Sequence, residues 1–165
     1  MEFGICDLEF NMLYLITIII AIIQLTIVNV ISIGNIKPDL LLILVVFVAL
    51  KRGPWVAAAI GILAGFMKDV FGLGVYMNTL AMPLYAILMG IVKEKFYFIK
   101  ENFLTELLAV LAICVLDSVL MIFYFSNWDY PPAIFTLIIY IAIPAVLYTS
   151  VASVPVFSIL KNYAS

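Results

Sequence analysis

Four polar residues interrupt a chain that is otherwise almost entirely apolar. Lys68 and Asp69 stand side by side in "AGFMKDVFGLGVYMN" (Ala64 to Asn78), Asn78 closes that stretch, and Asp117 lies within "AVLAICVLDSVLMIFYF". Two carboxylates and an ammonium held among apolar residues suit a site for a proton, an ion or a polar solute. The same groups suit a buried polar cluster that sets how neighbouring helices pack. The residues alone leave both readings open.

Catalysis has little to work with. The chain contains no histidine, so a Ser/His or Cys/His nucleophile pair and a histidine zinc site are both excluded. In "GLGVYM", Met77 occupies the third glycine position of a dinucleotide-binding pattern. Intramembrane aspartyl proteases carry Tyr-Asp and Gly-x-Gly-Asp sequences, whereas "GLGV" has valine where that acid belongs. Cys6 and Cys114 are isolated, which fits neither a disulfide framework nor a metal site. The expectation is a non-enzymatic protein with no cofactor and no metal.

The solvent in which these groups sit follows from composition. Of 165 residues, 67% are apolar or aromatic and 11% are charged, against roughly a quarter charged in soluble domains. So much hydrophobic surface exceeds what one core of this size can hide, and lipid must cover the rest. The net charge of -2 and the lack of a basic run interleaved with aromatics argue against nucleic acid.

Six apolar segments are visible, at about 12–33, 38–50, 54–70, 75–92, 103–125 and 132–160. They leave loops too short for a second domain, so residues 1–165 read as a single integral membrane domain, all-α and polytopic. The first segment is too long for a signal-peptide core and lacks a basic leader, and reads as an uncleaved span. Segments two and three are short, joined by "LKRGPWV" (Leu50 to Val56). Fusing them would bury Lys51 and Arg52 mid-membrane at roughly 2.5–3.5 kcal/mol each. Pro54 is instead well placed to start a new helix. Such short helices must thin the bilayer or be shielded by neighbours.

Lysine and arginine placement sets the orientation. With the amino terminus in the cytoplasm, Lys51, Arg52, Lys93, Lys95, Lys100 and Lys161 lie inside, and only Lys37 and Lys68 lie outside. Both termini are therefore expected to be cytoplasmic. Tyr97, Tyr124, Trp128 and Tyr130, near segment ends, read as interfacial anchors. Pro83, Pro144 and Pro155 are expected to kink their helices, with Thr79, Thr149, Ser150 and Ser153 as compensating hydroxyls.

In the third segment Ala57, Gly61 and Gly65 recur every four residues, and Asp69 continues the series. Residues four apart share a helix face, and small ones let another backbone approach closely. That stripe should face protein, with Asp69 at its outer end. Gly72 and Gly74 then mark where the third helix ends and the chain reverses. Asp117 lies about eight residues below the outer end of the fifth segment, on the order of 12 Å deep. By depth, Lys68 is its nearest candidate cation, with Lys37 next; Asp39 reads as a first-turn residue suited to the dipole of the second helix.

Taken in order, "IKPDLLLILVVFVALKRGPWVAAAIGILAGFMKDVFGLGVYMNTLAMPLYAIL" resembles the rod shape-determining protein MreD family of bacteria. The shared series is Pro-Asp opening the second helix, a basic turn, and a Gly-rich third helix ending in Asp69, Gly72 and Gly74. It continues with "LAM" in the fourth, an acid at Asp117 and a proline at Pro144. The acidic leader departs from the usual short basic start. The resemblance implies a helix arrangement like that of the substrate-binding component of energy-coupling-factor transporters. It implies a scaffold of the cell-elongation machinery in the inner membrane that maintains rod shape and directs lateral peptidoglycan synthesis. Its partners would be MreC, RodA with its penicillin-binding protein, and the MreB filament. The likeness to transporter components supplies an alternative, a subunit binding a vitamin-like small molecule.

Overall fold

The computed structural model describes residues 12–24, 26, 36–71, 77–95, 103–126 and 138–164. Its elements are all helical. In chain order they are α1 (Met12–Gln24), α2 (Leu40–Arg52), α3 (Pro54–Phe71), α4 (Met77–Lys95), α5 (Phe103–Ser126) and α6 (Ile143–Ala164). A π-helical turn, Ile138–Ala142, leads into α6. The side chains of Tyr97, Tyr124, Trp128 and Tyr130 lie outside the described residues, as do Gly72 and Gly74.

Three stretches are long and apolar enough to cross a membrane: Pro54–Phe71, Leu104–Phe123 and Ile138–Leu160. Of the others, α4, at 19 residues, is as long as α3 but less apolar, and α2 is shorter. With 13 residues, α2 is about 20 Å long, against a hydrocarbon core of about 30 Å. Burial explains how so short and oily a helix is accommodated. Every residue from Leu41 to Leu50 is buried, because α3, α4, α5 and α6 all pack around α2. A helix apolar on all sides belongs at the centre of a bundle, and neighbouring protein, rather than a thinned bilayer, surrounds this one.

The α2–α3 connection is as tight as a chain allows. Lys51 and Arg52 occupy the last turn of α2, where positive charge complements the helix dipole. Gly53 follows at φ 91°, a left-handed conformation that a Cβ would strain. Pro54 then opens α3, where its missing N–H costs nothing. The Lys93 ammonium, from the far end of α4, donates to the Leu50 carbonyl and satisfies one of the free acceptors at the end of α2.

Helices α3 and α4 form the closest pair. Ala57, Ile60, Gly61, Ala64, Gly65 and Asp69 make the buried face of α3. A methyl group at Gly61 would stand 3.0 Å from Pro83 N and Cα, and one at Gly65 would stand 2.7 Å from Thr79 Cα. At the other end, a methyl at Gly90 would meet the Pro54 backbone at 2.6 Å. Both backbones run nearly in contact along the full pair, a separation only small residues permit.

In the last span, Pro144 cannot donate to the carbonyl four residues back, and the π turn stands immediately ahead of it. Local widening is one way a helix absorbs such a missing bond. Further along, Ser153 Oγ donates to the Ser150 carbonyl at 2.7 Å, ahead of Pro155.

Candidate functional site

Asp69 is 2% exposed, and both of its oxygens are fully engaged. Oδ1 accepts from Asn78 N at 3.2 Å and Asn78 Nδ2 at 2.7 Å. Oδ2 accepts from Thr79 N at 2.7 Å and Thr79 Oγ1 at 2.6 Å. Asn78 and Thr79 occupy the first turn of α4, whose amides have no partners within their own helix. A carboxylate from the end of α3 thus caps α4 from outside, and its charge suits that helix end. A carboxylate has about four acceptor positions. With all four used, Asp69 has no capacity left for a ligand.

Lys68 is one residue away and belongs to a different group. Successive helical residues point about 100° apart, which turns the Lys68 side chain off the α4 contact. Its ammonium meets Asp39 Oδ2 at 2.5 Å. Asp39 is the N-cap of α2: Oδ1 accepts from Leu42 N at 3.0 Å and from Gln24 Nε2 at 3.3 Å. Gln24 Oε1 in turn accepts from Leu41 N at 2.9 Å, and Thr149 Oγ1 accepts from Asp39 N at 3.2 Å. One residue pair therefore ties α1, α2, α3 and α6 together.

Asp117 takes its hydrogen bond from neither lysine. Tyr85 of α4 donates its hydroxyl to Asp117 Oδ1 at 3.0 Å. Lys68, the cation nearest in depth by sequence reasoning, is bonded to Asp39 instead. The expected foursome of Lys68, Asp69, Asn78 and Asp117 is divided accordingly. Asp69 and Asn78 brace the α3–α4 hairpin, while Lys68 and Asp117 flank an open cleft of about 260 Å³. Gln24, Lys37, Asp39, Cys114, Ser118 and Thr149 complete the polar part of its wall.

Sequence reasoning did not assign Gln24 and Tyr85 to the site, and it gave Asp39 and Thr149 different duties. Asp39 had a usable signal, since Pro-Asp before an apolar run is an N-cap pattern. Tyr85 had none: it is the one aromatic of α4, and nothing in its spacing marks an acid of α5 as its partner. Among the described residues, no group of histidine, cysteine and acidic side chains is placed to hold a metal ion.

Buried carboxylates spent on helix ends, a central helix sheathed by its neighbours, and spans long enough to cross a bilayer define a helical membrane protein built on internal polar braces. The model of the family described as rod shape-determining protein MreD matches residues 7–163 of the chain, and the chain belongs to that family. Its role accordingly lies in rod-shape determination, and the family is one of shape-determining proteins rather than enzymes. No curated protein and no solved structure matches the chain.

Proposed function

We propose that this protein is a non-catalytic scaffold of the cell-elongation machinery, binding MreC and helping to direct lateral peptidoglycan synthesis together with RodA, its penicillin-binding protein and the MreB filament. Membership of the MreD family across residues 7–163 carries the reading. The chemistry supports it, because the Asp69 and Asp39 carboxylates are occupied in holding helices together. Six spans in the inner membrane with both termini cytoplasmic complete the proposal, supported by the placement of Lys51, Arg52, Lys93 and Lys95 at one end of α2 and α4. Recognition then runs through helix surfaces. Ile62, Phe66 and Val70 on α3 and Leu80, Leu84 and Leu88 on α4 are exposed, and partner helices would be held there by close packing and a few hydrogen bonds.

Co-purification from mild detergent tests the reading. The folded protein is expected to retain MreC at a stoichiometric level. Folded protein that fails to hold MreC, but releases a vitamin-like molecule on denaturation, would turn the assignment to a transporter subunit.

A further inference from the structure

We infer that the cleft beside Asp117 is a binding site for an ammonium group carried on an apolar body, with the Asp117 carboxylate as its counter-charge. The inference stands on the cleft alone and is independent of partner binding.

The polar groups at the depth of the cleft differ in how far they are engaged. Asp39 accepts from Lys68, Leu42 N and Gln24, and its charge is balanced by Lys68. The Gln24 carbonyl is held by Leu41 N, and the Thr149 hydroxyl accepts from Asp39 N. Asp117 is different. One of its oxygens receives the Tyr85 hydroxyl, and the other has no hydrogen-bond partner among the described residues. At the depth of the cleft, two carboxylates face a single ammonium that is already bonded to one of them. Lys37 stands at the mouth, exposed, where water screens its charge. An anion entering here would meet a committed lysine and two carboxylates. A cation would meet the Asp117 oxygen that no described residue fills, and such charge-assisted bonds are the strong ones. A bound metal ion fits less well, for want of clustered ligands.

A second cleft of about 260 Å³ adjoins the first and makes the site amphipathic. It shares Asp117, Ser118 and Ala145 with the polar cleft and continues along Met121, Ile122 and Ile141. Ile141 and Ala142 belong to the π-helical turn, a form of backbone frequent at functional sites. Asp117 thus stands where polar and apolar walls meet. Asp39 caps the start of α2 and Lys68 lies three residues from the end of α3, whereas Asp117 lies nine residues inside α5. The α5 helix therefore runs about 13 Å past the start of α2 and about 9 Å past the end of α3. An amine whose hydrocarbon lies between α5 and α6 would set its charge against Asp117.

Hexylammonium is a suitable probe, with hexanol and hexanoate as neutral and anionic counterparts. Hexylammonium is expected to bind the detergent-purified protein saturably, at one equivalent, and to raise its unfolding temperature, while hexanol and hexanoate leave it unchanged. Asp117→Asn, which keeps an acceptor for Tyr85, is expected to weaken binding about tenfold or more. Ala145→Leu, which narrows both clefts without touching a charge, serves if Asp117→Asn does not fold. Nanodiscs separate two sources of the same chemistry. If added phosphatidylethanolamine displaces hexylammonium, a lipid headgroup is the natural occupant; if it does not, a free amine is. Equal response to hexylammonium and hexanol, or undiminished binding in folded Asp117→Asn or Ala145→Leu protein, overturns the inference.

Discussion

Replacing Asp69 by Asn changes almost no volume and removes one acceptor oxygen, which isolates the capping function of this side chain. In the native protein Asp69 receives four donors, two of them backbone amides of the first turn of α4. An asparagine offers one oxygen and one NH₂ group. If the oxygen serves Thr79, the NH₂ faces Asn78 N; if it serves Asn78, the NH₂ faces Thr79 N. The Thr79 hydroxyl and the Asn78 amide can reorient to accept, but one backbone N–H is left against a donor in either case. At 2% exposure no bulk water reaches it. Losing a charged acceptor and stranding a buried donor costs about 2–4 kcal/mol, with the lost charge at the helix N-terminus included. Asp69→Ala strands both amides and should cost more, whereas Thr79→Val removes one hydroxyl donor to the carboxylate and should cost about 1.5–3 kcal/mol. Equilibrium unfolding in mixed micelles titrated with a denaturing detergent, followed by helical circular dichroism, measures all three. Asp69→Asn unfolding within about 0.5 kcal/mol of the native protein, the range of an ordinary surface change, would refute the capping argument.

Other outcomes follow from the same geometry. Gly65→Ala places a methyl against the Asn78–Thr79 backbone, which cannot yield as a side chain would; it is expected to destabilise by about 1–3 kcal/mol, more than Gly61→Ala, in the same assay. Lys68→Met leaves Asp39 unpaired among α1, α2 and α6 and should cost about 3–5 kcal/mol. The Lys68→Met/Asp39→Asn double variant should lose much less than the sum of the singles, and strict additivity in a double-mutant cycle would rule out the pair. Reporter fusions should place both the amino and carboxyl termini in the cytoplasm, and reversing the charge of Lys51, Arg52, Lys93 and Lys95 should weaken that preference. A periplasmic signal from either end of the native protein would refute the orientation.

Particular residues show how far the sequence could be read. The helical class follows from long apolar runs and from Pro and Gly placed between them. Pro54 after Gly53 marks a break between two helices, and the structure adds a left-handed φ at Gly53. Small residues every four positions at Ala57, Gly61 and Gly65 announce a face along which another backbone can come close. All of these are properties of a helix by itself, carried by spacing along its own length.

Partners across helices are another matter. Lys68 and Asp117 share a depth, yet Lys68 bonds Asp39 and Asp117 takes the Tyr85 hydroxyl. Depth is counted along one helix, but partnership depends on the rotation of each helix about its axis and on which helix is its neighbour. Neither is written in sequence distance. The central position of α2 is of the same kind: its 13 residues read as a short span, and only packing on all sides reveals a core. From the chain alone came the membrane class, the helix breaks and the faces suited to close contact, because each is local. Which acid braces a hairpin, which ties the bundle and which keeps an oxygen open was decided by tertiary structure, where helices distant in sequence bring their polar atoms to one place.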